Sequence, residues 1–180
     1  MEINISKVDK IRITGLQSLP DFRLDPISVW AEDFQPGHGQ IVIKCWDKAW
    51  CSYWPAMGGR TIKEFFIGCH VDYLAKNLSK VEREVVDEDK FEALCEKHDI
   101  DTTSIDEPWK DVSVLTELFG SDWSEWWDLI PKCDSSDYKY LIRVIKAVQA
   151  AFKQYFNHKK LSTGSGINMT EQRIQLKEVK

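Results

Sequence analysis

The sequence has no apolar run approaching the roughly 20 residues that a membrane-spanning helix needs, and no basic leader followed by an apolar stretch. We therefore expect a cytoplasmic protein without a membrane partner. Its cysteines are odd in number and scattered: Cys45, Cys51, Cys69, Cys95 and Cys133. In a reducing compartment this pattern indicates free, buried thiols rather than a disulfide framework.

Recognisable catalytic and metal-binding motifs are also missing. There is no Gly-x-Ser-x-Gly elbow, no His-Glu-x-x-His, no glycine-rich phosphate loop with a following lysine and no pair of Cys-x-x-Cys motifs. Cys69 and His70 are neighbours on a predicted helix and would point about 100° apart, which does not suit a thiol and its base. Cys95 and His98 have helical spacing but lack further ligands. We predict no enzyme, no metal and no cofactor.

Length and composition indicate a globular protein. The 180 residues are 43% hydrophobic and 29% charged, which is too rich in large apolar side chains for a disordered chain. The simplest division is one domain over residues 1–160 and a tail over residues 161–180. The tail follows a Ser/Gly-rich linker, and alternation over residues 173–176 would allow it to dock as an edge strand.

Alternating polar and apolar residues predict an antiparallel meander of about four strands near the N-terminus. The fourth follows a predicted Asp47-Lys48 turn, which would pair Cys45 with Trp50 and Ile43 with Ser52. Five side chains then form a core face: Ile41, Ile43, Cys45, Trp50 and Trp54. The opposite face would carry Val42, Lys44, Trp46, Cys51 and Tyr53.

Helical signals fill the C-terminal half, so the predicted fold class is α+β, with the meander packed against helices. Thr61 and Glu64 form a capping box that starts a predicted helix over residues 61–78. Gly58 and Gly59 precede it; a strand-to-helix turn is favoured there over a phosphate site. Further helices are predicted over residues 87–98, 112–119 and 122–129, and from Asp137 onward, the last with a basic outer face of Lys139, Arg143, Lys146 and Lys153.

Charge is sorted along the chain. Residues 1–80 hold 10 Lys/Arg and 9 Asp/Glu, residues 81–135 hold 5 and 17, and residues 136–180 hold 9 and 3. The middle segment therefore carries a net charge of −12, within a total of −5. Such a segment attracts basic protein surfaces and repels nucleic acid, although a solvated acidic face is the simpler alternative.

The acidic segment and nearby tryptophans predict a partner-binding surface. Tryptophan is enriched at interfaces, and three of them on one short helix cannot all be buried easily. The alternative is that all three cap the core. The candidate residues are Glu82, Glu84, Asp87, Glu88, Asp89, Glu92, Trp123, Trp126 and Trp127.

A second candidate surface would bind single-stranded nucleic acid by stacking and phosphate contacts. Lys44, Trp46 and Tyr53 share a predicted sheet face, and Arg12, Lys48 and Arg60 could lie near it. We favour burial of these aromatic side chains against the helices, because aromatics are chiefly core residues.

Residues 25–79 resemble a family of small uncharacterised accessory proteins encoded by tailed bacteriophages and prophages of enterobacteria. The resemblance is carried by Asp25-Pro26-Ile27, Glu32-Asp33-Phe34, Pro36-Gly37, Gly39, Ala49-Trp50, Tyr53-Trp54, Met57-Gly58, Thr61-Ile62, Phe65-Phe66, Tyr73-Leu74-Ala75 and Asn77-Leu78-Ser79. It implies an accessory protein acting in the host cytoplasm, and it transfers no catalytic residue.

Charge and resemblance together predict a non-catalytic binding protein. Its acidic surface would inhibit or modulate a host protein with a basic surface that handles nucleic acid or takes part in defence. The alternative is a single-stranded nucleic-acid-binding accessory protein of phage replication or recombination, and only this reading makes nucleic acid a partner.

Overall fold

The computed structural model describes residues 8–16, 23–121 and 123–162, with side chains through residue 158. The chain divides into two compact units. Unit 1 comprises residues 1–81 and 139–180, and unit 2 comprises residues 82–138. The predicted α+β class is confirmed by an N-terminal four-stranded sheet and a helical C-terminal half. The single domain over residues 1–160 stays a prediction.

The sheet of unit 1 is an antiparallel meander in the order β1-β2-β3-β4. Its strands are β1 (Asp9–Ile13), β2 (Ile27–Gln35), β3 (His38–Cys45) and β4 (Lys48–Trp54), in agreement with the predicted strands. The alternation of apolar residues buries one face, as expected for a sheet packed on one side. That face consists of Ile13, Ile27, Val29, Ala31, Ile41, Ile43, Cys45, Trp50 and Trp54.

The register of the β3–β4 hairpin differs from the prediction by two residues. Cys45 pairs with Lys48 and Ile43 with Trp50, because Trp46 and Asp47 form the turn in place of Asp47 and Lys48. Side chains on a strand alternate with a period of two, so a two-residue shift keeps every side chain on its face. The predicted register is therefore wrong, whereas the predicted core face is confirmed.

The helix predicted over residues 61–78 is two helices, α1 (Ile62–Gly68) and α2 (Val71–Leu78). The capping box of Thr61 and Glu64 is present at the start of α1. The break follows Gly68, and the His70 side chain caps α2. Gln149 Nε2 donates to the carbonyl oxygens of Phe66 and Cys69, both at 2.9 Å. Periodicity missed the break because these carbonyls are satisfied by a residue distant in sequence.

Replacing the buried Gln149 with leucine should destabilise unit 1 by about 1–3 kcal/mol, because two carbonyl groups at the end of α1 lose their donor. The measurement is the denaturant midpoint of unfolding. Lys146→Leu is the control, since it places leucine at an exposed position of the same helix and should change stability by less than about 0.5 kcal/mol. Equal midpoints for the two variants would contradict the assigned role.

Helices α1 and α2, together with α6 (Ser136–Ser162), cover the buried face of the sheet. Aromatic pairs join the two layers or the helices themselves: Trp50 with Tyr140, Trp54 with Phe65, and Phe66 with Phe152, with ring centroids 5.5–5.9 Å apart. Helix α6 begins one residue before the predicted Asp137, and its predicted basic side chains Lys139, Arg143, Lys146 and Lys153 are exposed. Unit 1 is therefore a two-layer structure.

Unit 2 contains α3 (Glu88–Lys97), a short 3-10 turn (Pro108–Lys110), α4 (Val112–Phe119), α5 (Trp126–Leu129) and a two-stranded ribbon. The ribbon pairs β5 (Glu84–Val86) with β6 (Lys132–Asp134) and was not predicted, because three residues are too few to show a period. Helices α3 and α4 match their predictions, whereas α5 is shorter than residues 122–129. The buried core of unit 2 is Phe91, Cys95, Val114, Leu115, Trp126 and Ile130.

The two chain ends of unit 2 are bonded to each other. The Ser135 amide donates to the Arg83 carbonyl, and the Ser135 hydroxyl donates to the Glu82 carbonyl, both at 2.7 Å. An Arg83–Asp134 ion pair at 3.1 Å lies beside these bonds. Adjacent ends of this kind are usual for a unit inserted into another chain segment. The predicted edge strand at residues 173–176 lies outside the described residues.

Candidate interaction surfaces

The two units carry net charges of opposite sign. Residues 82–138 hold 18 Asp/Glu and 5 Lys/Arg, a net −13, and the rest of the chain holds 11 and 19, a net +8. The acidic segment that the sequence places at residues 81–135 thus coincides with unit 2 to within three residues. A field of one sign over a compact unit favours association with a surface of opposite charge.

Four carboxylates lie along one side of α3 and are here named the acidic stripe: Glu88, Asp89, Glu92 and Glu96. At 100° per residue they span an arc of about 100°, and all four side chains are exposed. Phe91 and Cys95 of the same helix are buried in the unit 2 core. The core contacts therefore hold the acidic stripe toward solvent.

The acidic stripe costs helix stability. Glu88, Glu92 and Glu96 follow one another at four-residue spacing, and each like-charged pair of this type destabilises a helix by about 0.2–0.5 kcal/mol. Lys90 and Lys97 lie on the opposite side of the helix from Glu88. Glu88 and Asp89 lie in the first turn of α3, where the helix dipole offsets part of this cost, so helix formation disfavours chiefly Glu92 and Glu96.

The other predicted carboxylates of the site have different surroundings. Glu82 and Glu84 are exposed next to or within the ribbon that leads into α3. Asp87 is the N-cap of α3: its carboxylate accepts from the Lys90 amide at 3.2 Å and pairs with Lys90 Nζ at 2.7 Å. Asp87 therefore stabilises the start of α3, and its contact with a partner stays a prediction.

The three tryptophans of the predicted partner-binding surface separate into one core residue and two surface residues. Trp126 is buried, and its Nε1 donates to the Gly120 carbonyl at 3.0 Å. Trp123 is 76% exposed and Trp127 is 58% exposed, so the interpretation that all three cap the core is wrong. Lys132 Nζ lies 4.6 Å from the ring centroid of Trp127. Trp123 and Trp127 are the aromatic candidates for contact with a partner.

The second surface is the outward side of the four-stranded sheet, here named the open face. Arg12, Ser28, Lys44 and Ala49 lie in one cross-strand row, and Lys10, Trp30, Val42 and Cys51 lie in the next. The third row is Glu32, Gln40 and Tyr53. Lys10, Arg12 and Lys44 are exposed, Tyr53 is 52% exposed, and Phe34 beside it is 50% exposed.

The predicted nucleic-acid residues do not come together in one place. Lys44 and Tyr53 lie on the open face, but Trp46 lies in the β3–β4 turn. Arg60 lies on the helix side, where its Nε donates to the Met57 carbonyl and its guanidinium stands 5.0 Å from the Phe65 centroid. Burial of Trp46 and Tyr53 was the favoured interpretation and is wrong, since Trp46 is 71% exposed.

Trp46 occupies a backbone conformation that glycine usually takes. Its φ is 55°, and a two-residue hairpin turn with positive φ at the first position normally has glycine there. Trp46 borders an open pocket of about 470 Å³ with Asp25, Asp47, Lys48 and Tyr140. The Tyr140 hydroxyl donates to Cys45 Sγ at 3.2 Å. Burial raises the pKa of both groups, so the thiol and the hydroxyl stay protonated near neutral pH.

The predicted alternative of a phosphate site before α1 is not supported. The Ile62 amide donates to Asp33 Oδ1 at 2.6 Å, and the Thr61 amide donates to Glu64 Oε2 at 2.9 Å. Carboxylates thus occupy amides that a phosphate would need. Within the described part of the chain, no group of three or more His, Cys, Asp and Glu side chains is placed to hold a metal ion. No helix there has the length and apolar character to cross a membrane.

Comparison with known proteins identifies the chain's origin. A family model described as a phage family matches residues 1–154. The chain belongs to the phage protein family Phage_phiTE_072. The match to this phage family extends across unit 2, well beyond the resemblance over residues 25–79. Neither the curated proteins nor the solved structures contain a match to the chain.

Several residues that carry the resemblance have structural roles in this member of the phage family. The Met57 amide donates to the Gly37 carbonyl at 2.7 Å, and Asp33 accepts from the start of α1. A Cβ on Gly39 would lie 2.7 Å from the Glu32 carbonyl oxygen, so only glycine fits there. These residues join the β2–β3 turn to the segment before α1. Because these roles are structural, the binding partner has to be inferred from the exposed surfaces.

Proposed function

We propose that this phage-encoded protein is a non-catalytic binding protein of the host cytoplasm. Its acidic unit 2 binds a basic surface of a host protein and thereby inhibits or modulates that protein. The observation that carries the proposal is the net charge of −13 on one compact unit, with exposed carboxylates held along one side of α3. A partner that binds or cleaves nucleic acid has the required surface, because phosphate binding depends on clustered Lys and Arg.

Two kinds of contact, electrostatic and apolar, would contribute to binding. The acidic field speeds association and orients the partner, and it weakens as salt is added. The exposed rings of Trp123 and Trp127 supply apolar area, and Trp is among the residues that most often dominate interface energies. A basic surface with an apolar pocket is therefore the chemistry that fits unit 2.

The test begins with capture of host proteins at low and high salt, followed by titration of the purified candidate. The triple variant Glu88→Gln, Glu92→Gln, Glu96→Gln should bind about tenfold or more weakly at low salt, and this difference should nearly vanish at about 1 M salt. A control with the same charge change removes three exposed carboxylates elsewhere in unit 2: Asp106→Asn, Glu117→Gln and Glu125→Gln. If both triple variants lose affinity equally, diffuse charge and not the acidic stripe controls binding.

The tryptophans give a second, independent readout. Trp123→Ala or Trp127→Ala should weaken binding by about 2 kcal/mol, or roughly 30-fold, in a manner that salt does not remove. Because the rest of the chain carries a net +8, sedimentation equilibrium of the protein alone must separate partner binding from self-association. Finding no host protein whose capture weakens with rising salt would contradict the proposal.

A further inference from the structure

We propose that the open face of the four-stranded sheet binds single-stranded nucleic acid. This site lies wholly in unit 1 and is independent of the acidic surface of unit 2. It differs from the surface expected from sequence, because Trp46 and Arg60 lie elsewhere and Lys10, Trp30 and Phe34 take part. The three steps of the argument concern cations, aromatic rings and neighbouring carboxylates.

The cations are spaced across three adjacent strands. Arg12 of β1 and Lys44 of β3 flank Ser28 in one cross-strand row, and Lys10 lies in the next row. Neighbouring strands are about 4.8 Å apart, which puts the Cα atoms of Arg12 and Lys44 roughly 10 Å from each other. All three side chains are exposed. They offer three separate contacts to phosphate groups of one extended strand.

Aromatic rings extend the open face beyond the cations. Trp30 is half-buried in the row of Lys10, whose Nζ lies 5.6 Å from the ring centroid. Tyr53 lies two residues further along the strands, and its ring centroid is 6.0 Å from that of Phe34. From Lys44 to the Gln40–Tyr53 pair is four residues, or about 13 Å. Rings beside cations on the open face of a sheet suit unstacked bases, which a duplex does not present.

The three carboxylates of β1 and β2 are held in other contacts. Asp9 points to the helix side and pairs with Lys63 of α1. Asp33 accepts from the Ile62 amide, and Glu32, although in the third row, is buried and accepts from Gln40 at 2.7 Å. Among the described residues of the three cross-strand rows, the exposed charged side chains are therefore Lys10, Arg12 and Lys44, all positive. Charge complementarity selects an anionic strand over a protein segment of mixed charge.

The test measures fluorescence anisotropy of labelled oligonucleotides of about 15 nucleotides with the full-length protein, at salt concentrations from about 50 to 200 mM. Poly-dT and poly-U arms distinguish DNA from RNA, and a duplex of equal length is the third arm. Three phosphate contacts on a single strand predict a slope of log K against log salt of about −2, or roughly 20-fold weaker binding across this range. Binding of either single strand with this slope, and weaker binding of the duplex, supports the site.

Variants assign the binding to the open face. Tyr53→Ala should weaken binding about fivefold or more, and Arg12→Ala or Lys44→Ala should reduce the magnitude of the salt slope by about 0.7 each. The control is Lys146→Ala on the basic side of α6, which is exposed and is expected to leave binding unchanged. Circular dichroism confirms that each variant is folded.

Three results would overturn the proposal. The first is no binding of either single strand at about 50 mM salt with about 100 µM protein. The second is duplex binding as tight as single-strand binding. The third is a loss with Lys146→Ala equal to the loss with Lys44→Ala, which would assign the binding to α6. None of these results bears on the acidic surface of unit 2, whose variants lie in α3, in the segment before α5 and in α5 itself.

Discussion

Replacing Gly37 with alanine is expected to destabilise unit 1 by about 2–5 kcal/mol. The φ of Gly37 is +79°, and a residue with a Cβ loses about 1–2 kcal/mol in this region. The added Cβ would also lie 2.8 Å from the amide nitrogen and 3.3 Å from the Cα of Gly59. Both are backbone atoms, so relief requires a movement of the chain, and overpacking of this kind costs about 1–3 kcal/mol more.

Gly58→Ala is the matched control. Gly58 also has a positive φ, +63°, but nothing lies within 4 Å of the position that a Cβ would take there, so only the backbone penalty of about 1–2 kcal/mol applies. Chemical denaturation followed by far-ultraviolet circular dichroism gives both values. Equal destabilisation by the two variants would show that the approach of Gly37 to Gly59 is not close in solution.

The strands of unit 1 could be predicted because one side of the sheet is buried and the other is not. Because of that asymmetry, apolar and polar residues alternate along each strand. A two-residue error in the predicted register does not change which residues are assigned to the buried face. The register itself was missed because Trp46 takes a turn position with positive φ where glycine is usual. A tryptophan in an apolar stretch favours a strand, so the local signal pointed to the wrong two residues.

Tertiary contacts account for the other differences. The gap between α1 and α2 is bonded by Gln149, a residue 80 positions further along the chain from Cys69. The exposure of Trp123, Trp127 and Tyr53 contradicts the general preference of aromatic residues for burial, and no local pattern signals the exception. These exposed rings are the features on which both proposed interfaces depend.

Charge predicted more of the candidate sites than motifs did. The acidic segment marked unit 2 almost to its ends, because the segregation lies in the sequence itself. Arg60 was misplaced because a residue in a loop carries no periodicity that would assign it to a face. Asp87 was counted among the binding residues, although its position before α3 is typical of an N-cap.

Phe91→Ala should unfold unit 2 or leave it marginally stable, with a loss of about 3–5 kcal/mol. Phe91 is 1% exposed, packs edge-on against Trp109 and belongs to a cluster of six buried residues. Because the core of unit 2 is small, few neighbouring side chains could move into the cavity that Phe91→Ala creates. Hydrogen exchange should show lost protection in α3 and α4, while β2 and β3 keep theirs, because every member of the cluster lies in unit 2.

Leu94→Ala is the control for this variant, since Leu94 is only half-buried on the same helix and its truncation should cost much less. The two variants also test whether the proposed partner binding requires the folded α3 or only the net charge of unit 2. Phe91→Ala keeps every carboxylate but loses the helix that aligns the acidic stripe, so it should lose partner binding that Leu94→Ala retains. If the Phe91→Ala protein bound the partner with wild-type affinity, the net charge alone would suffice and the folded α3 would not be part of the recognition surface.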